Sequence, residues 1–216
     1  MTDTTEKETY FSHTDRMFPE LHDDDRIPTE QFLIACQGIA DFVGFLGTAF
    51  SPVKSDIAGN VKKVRTKFET DKERMKYLQD LIDIDLNENN GKLGVATEGL
   101  LWLKRGLEFM LQLLRLMVFE YNSNIDKSQT ETIVGILRQA YEKTLKRHHN
   151  FVAKQLFKVL IHAAPYRKDI LKAVALGNEG LEDVCIRHID THLDNFGHNV
   201  NSLVNYYYAK NLETRP

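Results

Sequence analysis

TEGLLWLKRGLEFMLQLLRLMVFE, residues 97–120, is apolar on almost every side when wound as a helix. At 100° per residue only Lys104, Glu108 and Arg115 fall together, in a stripe about 40° wide with Arg105 and Gln112 beside it. Such a helix has to be surrounded, so it is expected at the centre of the molecule. Lys104, Arg105, Glu108 and Arg115 also interrupt the run, which therefore falls short of the roughly 18 consecutive apolar residues that a membrane span requires.

Working outward, Phe32, Leu33, Cys36, Ile39, Ala40, Val43 and Leu46 recur at three-and-four spacing after Pro28. This predicts a first helix, with Thr29 as its cap and Gly47 as its stop. A second, amphipathic helix is expected over about 56–68 and a third over 71–86, closed by Asn-Glu-Asn-Asn-Gly at 87–91. Downstream of the central helix, Ile133, Leu137, Tyr141, Leu145, Val152, Leu156, Val159 and Leu160 read as one buried face of a fifth helix over about 130–163, ending before Pro165. A short sixth helix fits 167–176 before Gly177, and a last one over about 180–211 ends in Tyr206, Tyr207 and Tyr208. No segment alternates as a strand does. The expected fold class is all-α, with one domain at 28–216 preceded by a polar, loosely held arm at 1–27.

Composition narrows the function. The chain has 216 residues, with 12 glycines, 5 prolines and no proline between 53 and 164, which excludes collagen-like and low-complexity readings. A chain of this length buries about 70% of its unfolded surface, enough for a core without disulfides or structural metal. The net charge of −3 with both signs mixed removes the electrostatic case for nucleic-acid binding. Two cysteines, Cys36 and Cys185, and an N-terminus without a basic-then-apolar signal pattern point to the cytoplasm.

Few residues carry chemistry. Asp56, Asn60 and Lys63 stand at i, i+4 and i+7, within about 60° of one another on a helix, beside the apolar face of Ile57, Val61, Val64 and Phe68. An acceptor, a two-way amide and a donor in one stripe match a ligand rich in hydroxyls, although the same stripe also suits a solvated helix face. Trp102, the only tryptophan, points roughly opposite the Lys104, Glu108 and Arg115 stripe, either as core filler or as a flat platform for the C–H face of a sugar. His149 is assigned to the buried face of the fifth helix, as a structural residue or as a donor to a ligand carbonyl. Cys185, His188 and His192 have a spacing that could ligate a soft metal, but no fourth ligand accompanies them and no metal is expected. With no P-loop, G-x-S-x-G elbow or dinucleotide glycine motif, neither a cofactor nor a catalytic residue is expected.

Four segments, SPVKSDIAGNVKKVR (51–65), ATEGLLWLKRGLEF (96–109), LKRHHNFVAK (145–154) and AAPYRKDILKA (163–173), resemble in order and separation the glycolipid transfer protein family. Glu98, Gly99, His148, Asn150 and Phe151 are similar to the fungal heterokaryon-incompatibility branch. The resemblance implies a two-layer helical sandwich of about eight helices. It would carry one glycosphingolipid between membranes as a monomer, with the sugar at the surface and the ceramide chains in an apolar tunnel. On that footing Asp56, Asn60, Lys63 and Trp102 would bind the headgroup, and Asp56 and His149 the ceramide amide. Phe151, Pro165, Tyr166, Arg167 and Lys168 would make a transient membrane contact. Phe151 stands where animal members carry a tryptophan, and Glu98 where they carry an apolar residue, so anchor strength and sugar preference are expected to differ. A ceramide-1-phosphate carrier on the same fold is the nearest rival, but it would want cations where Asn60 and Trp102 stand. A glycolipid sensor acting through a protein partner is the other.

Overall fold

The computed structural model describes residues 7–215. Among them are eight α-helices and no strand: α1 (Thr29–Val43), α2 (Ser51–Phe68), α3 (Leu78–Glu88), α4 (Val95–Ser123), α5 (Val134–Lys143), α6 (Phe151–Leu160), α7 (Arg167–Val174) and α8 (Glu182–Ala209). They stack as a two-layer helical sandwich. The 29-residue α4, about 44 Å long, lies at the centre against α2, α3, α5 and α8.

The start of α4 is tied down from outside itself. Asp85 of α3 accepts from the Thr97 backbone N–H at 2.9 Å and from the Thr97 hydroxyl at 2.5 Å, while the Tyr207 hydroxyl of α8 donates to the Thr97 carbonyl at 2.7 Å. An orphan first-turn donor is thereby satisfied by a neighbouring helix. Gly94, just before α4, is required by this arrangement, since a Cβ there would lie 2.4 Å from the Asp85 carboxylate.

Besides the start of α2, which lies at Ser51 and not near 56, three sequence expectations change. The third helix begins at Leu78 and not near 71, because the backbone there pairs with the chain before α1. Thr29 N–H donates to the Lys76 carbonyl and Leu78 N–H to the Ile27 carbonyl, each at 2.9 Å. The single fifth helix is two helices, α5 and α6, separated by a 3₁₀ turn at Leu145–His148 and by His149 in extended conformation. Asn150 explains the break: its side chain accepts from the Ala153 N–H at 2.9 Å and caps a new helix, a role asparagine fills better than a helix interior.

The third change concerns the expected loose arm. Residues 1–6 lie outside the described residues, but Tyr10, Phe11, Phe18, Leu21 and Ile27 are buried in the main core. Phe18 stacks on Phe196 at 4.4 Å, and Phe11 meets Phe42 at 5.1 Å. These residues follow no helical period, so periodicity does not reveal them. A ring burying 150 Å² or more nevertheless contributes about as much wherever it enters a core.

That arm and α8 enclose His192, which is 1% exposed among the rings of Phe11, Phe18 and Phe196. Neither of its ring nitrogens has a hydrogen-bond partner among the described residues. Burial alone lowers its pKa from 6.5 to about 4, so the folded chain holds the ring neutral at pH 7. The unfolded chain takes up the proton first, so this residue's contribution is full above pH 6.5 and is lost as pH falls toward about 4. The loss over that window is about 3 kcal/mol. Comparing urea unfolding at pH 7 and pH 4.5, His192→Leu is expected to remove this part of the acid destabilisation. An equal loss in wild type and variant would show that His192 is not its source.

Candidate functional site

α2 begins at Ser51 with Pro52 in its first turn, and Ile57, Val61, Val64 and Phe68 turn one face into the core. That face lies against α4, and two glycines of α4 permit the approach. A Cβ on Gly99 would stand 3.1 Å from Lys63 Cδ and 3.6 Å from the Asn60 carbonyl, and one on Gly106 would touch Ile57 at 4.0 Å. With the backbones this close, the polar stripe of α2 is brought to the edge of the α4 surface. Lys63 Nζ donates to Asn60 Oδ1 at 2.9 Å and Asn60 Nδ2 to Asp56 Oδ2 at 3.4 Å, so the three residues form one relay. Asn60 is buried within it.

Below Asp56 opens an apolar cavity of about 710 Å³ between the end of α1, α2, α4 and the α5–α6 connection, with walls that include Phe50, Ile57, Phe109, Met110, Phe157 and Leu160. Asp56, Trp102 and His149 are the polar or amphipathic groups that meet at its mouth. Because the helix breaks before Asn150, His149 lies on the connection and not on a buried helical face as expected from spacing. Its Nδ1 is 3.1 Å from the hydroxyl of buried Tyr141, which itself stacks on Phe157 at 3.7 Å.

Burial at the mouth opposes charge on both ionisable groups. It raises the Asp56 carboxyl, against the pull of Lys63 and His149, and it lowers the His149 imidazole, against the pull of Asp56. The result is a neutral ring that can donate beside a carboxylate short of donors. Trp102 is half-buried, with the Arg105 guanidinium over its ring at 4.6 Å.

The second expected set of residues divides. Phe151 (74% exposed) and Tyr166 project into solvent, Lys168 is exposed, and Pro165 is half-buried before α7. Arg167 does not join them. It is 1% exposed, donates to the Thr130 and Lys127 carbonyls at 3.1 and 2.9 Å and to Glu131 at 2.5 Å, and lies over the Tyr121 ring. Its charge is consumed internally, so it is a structural brace and not a membrane-contact residue.

Sequence reading missed the outer face of α6. Val152, assigned to a buried face, is exposed and stands outside the cavity, Leu156 and Val159 are exposed although they line it, and α6 has no fully buried residue. Their spacing was visible, but the period gives only a face and not what covers it. Tyr141 is core, as its spacing indicates, and what the spacing did not show is that its hydroxyl also meets His149. Of the C-terminal tyrosines, Tyr207 is used inside the fold, while Tyr208 meets Arg147 at 3.3 Å. His188 bonds Thr9, and no cluster of three metal-ligating side chains occurs among the described residues. No described helix is long and apolar enough to cross a membrane.

Comparison with known proteins gives a consistent result. The family model described as Glycolipid transfer protein (GLTP) matches residues 27–176. A glycolipid transfer protein of Danio rerio is 32% identical over 203 residues, covering 92% of this chain and 95% of its own. One of Aureobasidium melanogenum is 40% identical over 163 residues, with 74% and 76% covered. A solved structure described as showing how FAPP2 selects simple glycosphingolipids using the GLTP-fold superposes with a TM-score of 0.83 at 33% identity, covering 96% of this chain and 98% of that one.

Gly99 offers a direct test of the site's construction. Gly99→Ala should push Lys63 off Asn60 and cost about 1–2 kcal/mol, a melting temperature lower by about 2–8 °C. The Asn60 side-chain amide resonances should move with it, and their constancy would show that α2 does not depend on this contact.

Proposed function

The chain belongs to the glycolipid transfer protein family, and on that premise we propose that it binds one glycosphingolipid and carries it between membranes. The observation that supports this most is the joining of an apolar cavity of about 710 Å³ to a mouth that mixes donor, acceptor and flat aromatic surface. A lipid chain of ten methylenes costs about 8 kcal/mol to leave in water, so a carrier must enclose it before leaving the membrane. The cavity supplies the enclosure.

In this reading Asp56 accepts from the ceramide amide N–H and a sugar hydroxyl, and Asn60 and Lys63 meet further hydroxyls along α2. Trp102 offers the ring face that Arg105 does not cover to the C–H face of the sugar. The Tyr141 hydroxyl donates to Nδ1 of neutral His149, which leaves Nε2–H to donate to the amide carbonyl. A phosphate headgroup fits less well. Lys63 is already bonded to Asn60 and Arg105, the cation over Trp102, to Glu213, and the nearby Asp56 carboxylate repels an anion. No nucleophile and base are aligned there, so we read the protein as a carrier and not an enzyme. Because cavity and mouth come from one chain, a monomer suffices, and two buried free thiols accord with the cytoplasm.

Membrane contact falls to Phe151, Val152 and Val159 on α6, with Pro165, Tyr166 and Lys168 beside it. Apolar side chains there enter the headgroup layer, and each basic residue near an anionic surface adds about 1 kcal/mol.

Vesicle-to-vesicle transfer by the purified protein tests the whole reading: glucosylceramide should move and ceramide-1-phosphate should not. Asp56→Val removes a charge-assisted acceptor worth about 1.5–3 kcal/mol, so transfer should fall from about tenfold to more than a hundredfold with helicity retained. Trp102→Ala should lose more than Trp102→Phe, and equal losses would count against stacking.

Phe151→Ala is expected to reduce partitioning onto vesicles and slow transfer without changing affinity for a soluble short-chain glycolipid. Unchanged partitioning, or a matching loss of soluble-ligand affinity, would remove Phe151 from the docking surface.

A further inference from the structure

Behind the mouth lies an ionic cluster that the lipid reading does not use. Lys104 of α4 is fully buried, with Nζ 3.0 Å from Glu108 Oε2 and 2.6 Å from Glu213 Oε2. Glu213 stands in the tail beyond α8, its side chain 3% exposed. Its second oxygen accepts from Arg105 Nε at 2.7 Å and lies 3.7 Å from His148 Nε2. Arg105 is the residue whose guanidinium covers the Trp102 ring, and His148 precedes His149. One tail carboxylate thus touches the two segments that present Trp102 and His149.

The electrostatics favour this placement. Burial pushes the Glu213 carboxyl up, but hydrogen bonds and charge from Lys104 and Arg105 outweigh it and hold the group below its ordinary value. Burial and the Arg105 charge lower His148 to about 4, so it is a neutral neighbour and not a competing cation. Lys104 already has Glu108 as a partner. A second carboxylate does more than neutralise it. An arginine has many rotatable bonds, and its head stays over a ring only when something holds it there.

We propose that Glu213 is a positioning residue of the headgroup site: by holding Arg105 against Trp102 it sets the ring at the mouth, and the C-terminal tail thereby takes part in sugar selection. This rests on the reading of Trp102 as the sugar platform. Glu213 touches no ligand itself and acts through Arg105.

The test uses the full chain and its single tryptophan. Emission and acrylamide quenching of Trp102 are measured without ligand, and affinity with N-octanoyl glucosylceramide, in wild type, Glu213→Ala, Glu213→Gln and the double variant Glu213→Ala/Lys104→Met. The double variant removes the buried ammonium, so a loss that persists in it does not come from instability. Glu213→Ala and the double variant should both show red-shifted, more quenchable emission and affinity lower by about tenfold. Glu213→Gln, which keeps an acceptor for Arg105, should recover most of both. Unaltered emission or full affinity in the folded double variant would overturn the proposal. Failure of wild type to bind the glycolipid would overturn the lipid reading and with it the role in sugar selection. The emission change would still report whether Glu213 holds the ring.

Discussion

A helix of 29 residues with apolar side chains nearly all round must be covered nearly all round, and the rest of this fold follows from covering α4. Its N-terminal turn is held by Asp85 and Tyr207, which fix where it starts and how it points. α2, α3, α5 and α8 then cover most of its circumference. On the remaining side Phe109 and Met110 face a cavity of about 710 Å³. A lipid chain lying along these apolar walls makes dispersion contacts with them. The element that closes this side, α6, buries no residue of its own completely, so its apolar face is divided between cavity and solvent. That division suits a wall that has to meet both a ligand and a membrane.

The chemistry at the mouth comes from one physical effect acting on unlike groups. Burial where α2, α4 and the α5–α6 connection meet partly removes Asp56 and His149 from water. Desolvation disfavours whichever form is charged, so it raises the acid and lowers the base. The imidazole is left neutral with a proton to give, and the carboxylate is left seeking donors. An amide offers one acceptor and one donor in return. The Glu213 cluster shows the opposite balance, because two cations lie close enough to overcome burial.

How much of this was legible beforehand varies with the range of the interactions. α4, α2 and the Asp56, Asn60, Lys63 stripe were readable because helical position is arithmetic on the chain. The fifth helix was not, because eight apolar residues kept one phase across Thr144–Asn150 while a cap at Asn150 and a 3₁₀ turn interrupted the backbone. The N-terminal arm was misjudged because its polar average concealed five core residues. Arg167 was misjudged for a related reason. It sits among Pro165, Tyr166 and Lys168, which are half-buried or exposed, yet its hydrogen-bond partners are 36–40 residues away in the chain.

By itself, then, the sequence determined the all-helical class, the central helix with the charges that interrupt its apolar run, and the polar stripe with its tryptophan. Each depends on a repeat of three to four residues or on composition, and both are local. Tertiary structure alone decided that His149 leaves the helix for the mouth, that residues 10–27 close the core, that Arg167 is braced inside and that Glu213 reaches Arg105 across 108 residues. No periodicity encodes these, because burial and ion pairing are set by which distant segments the packing brings together.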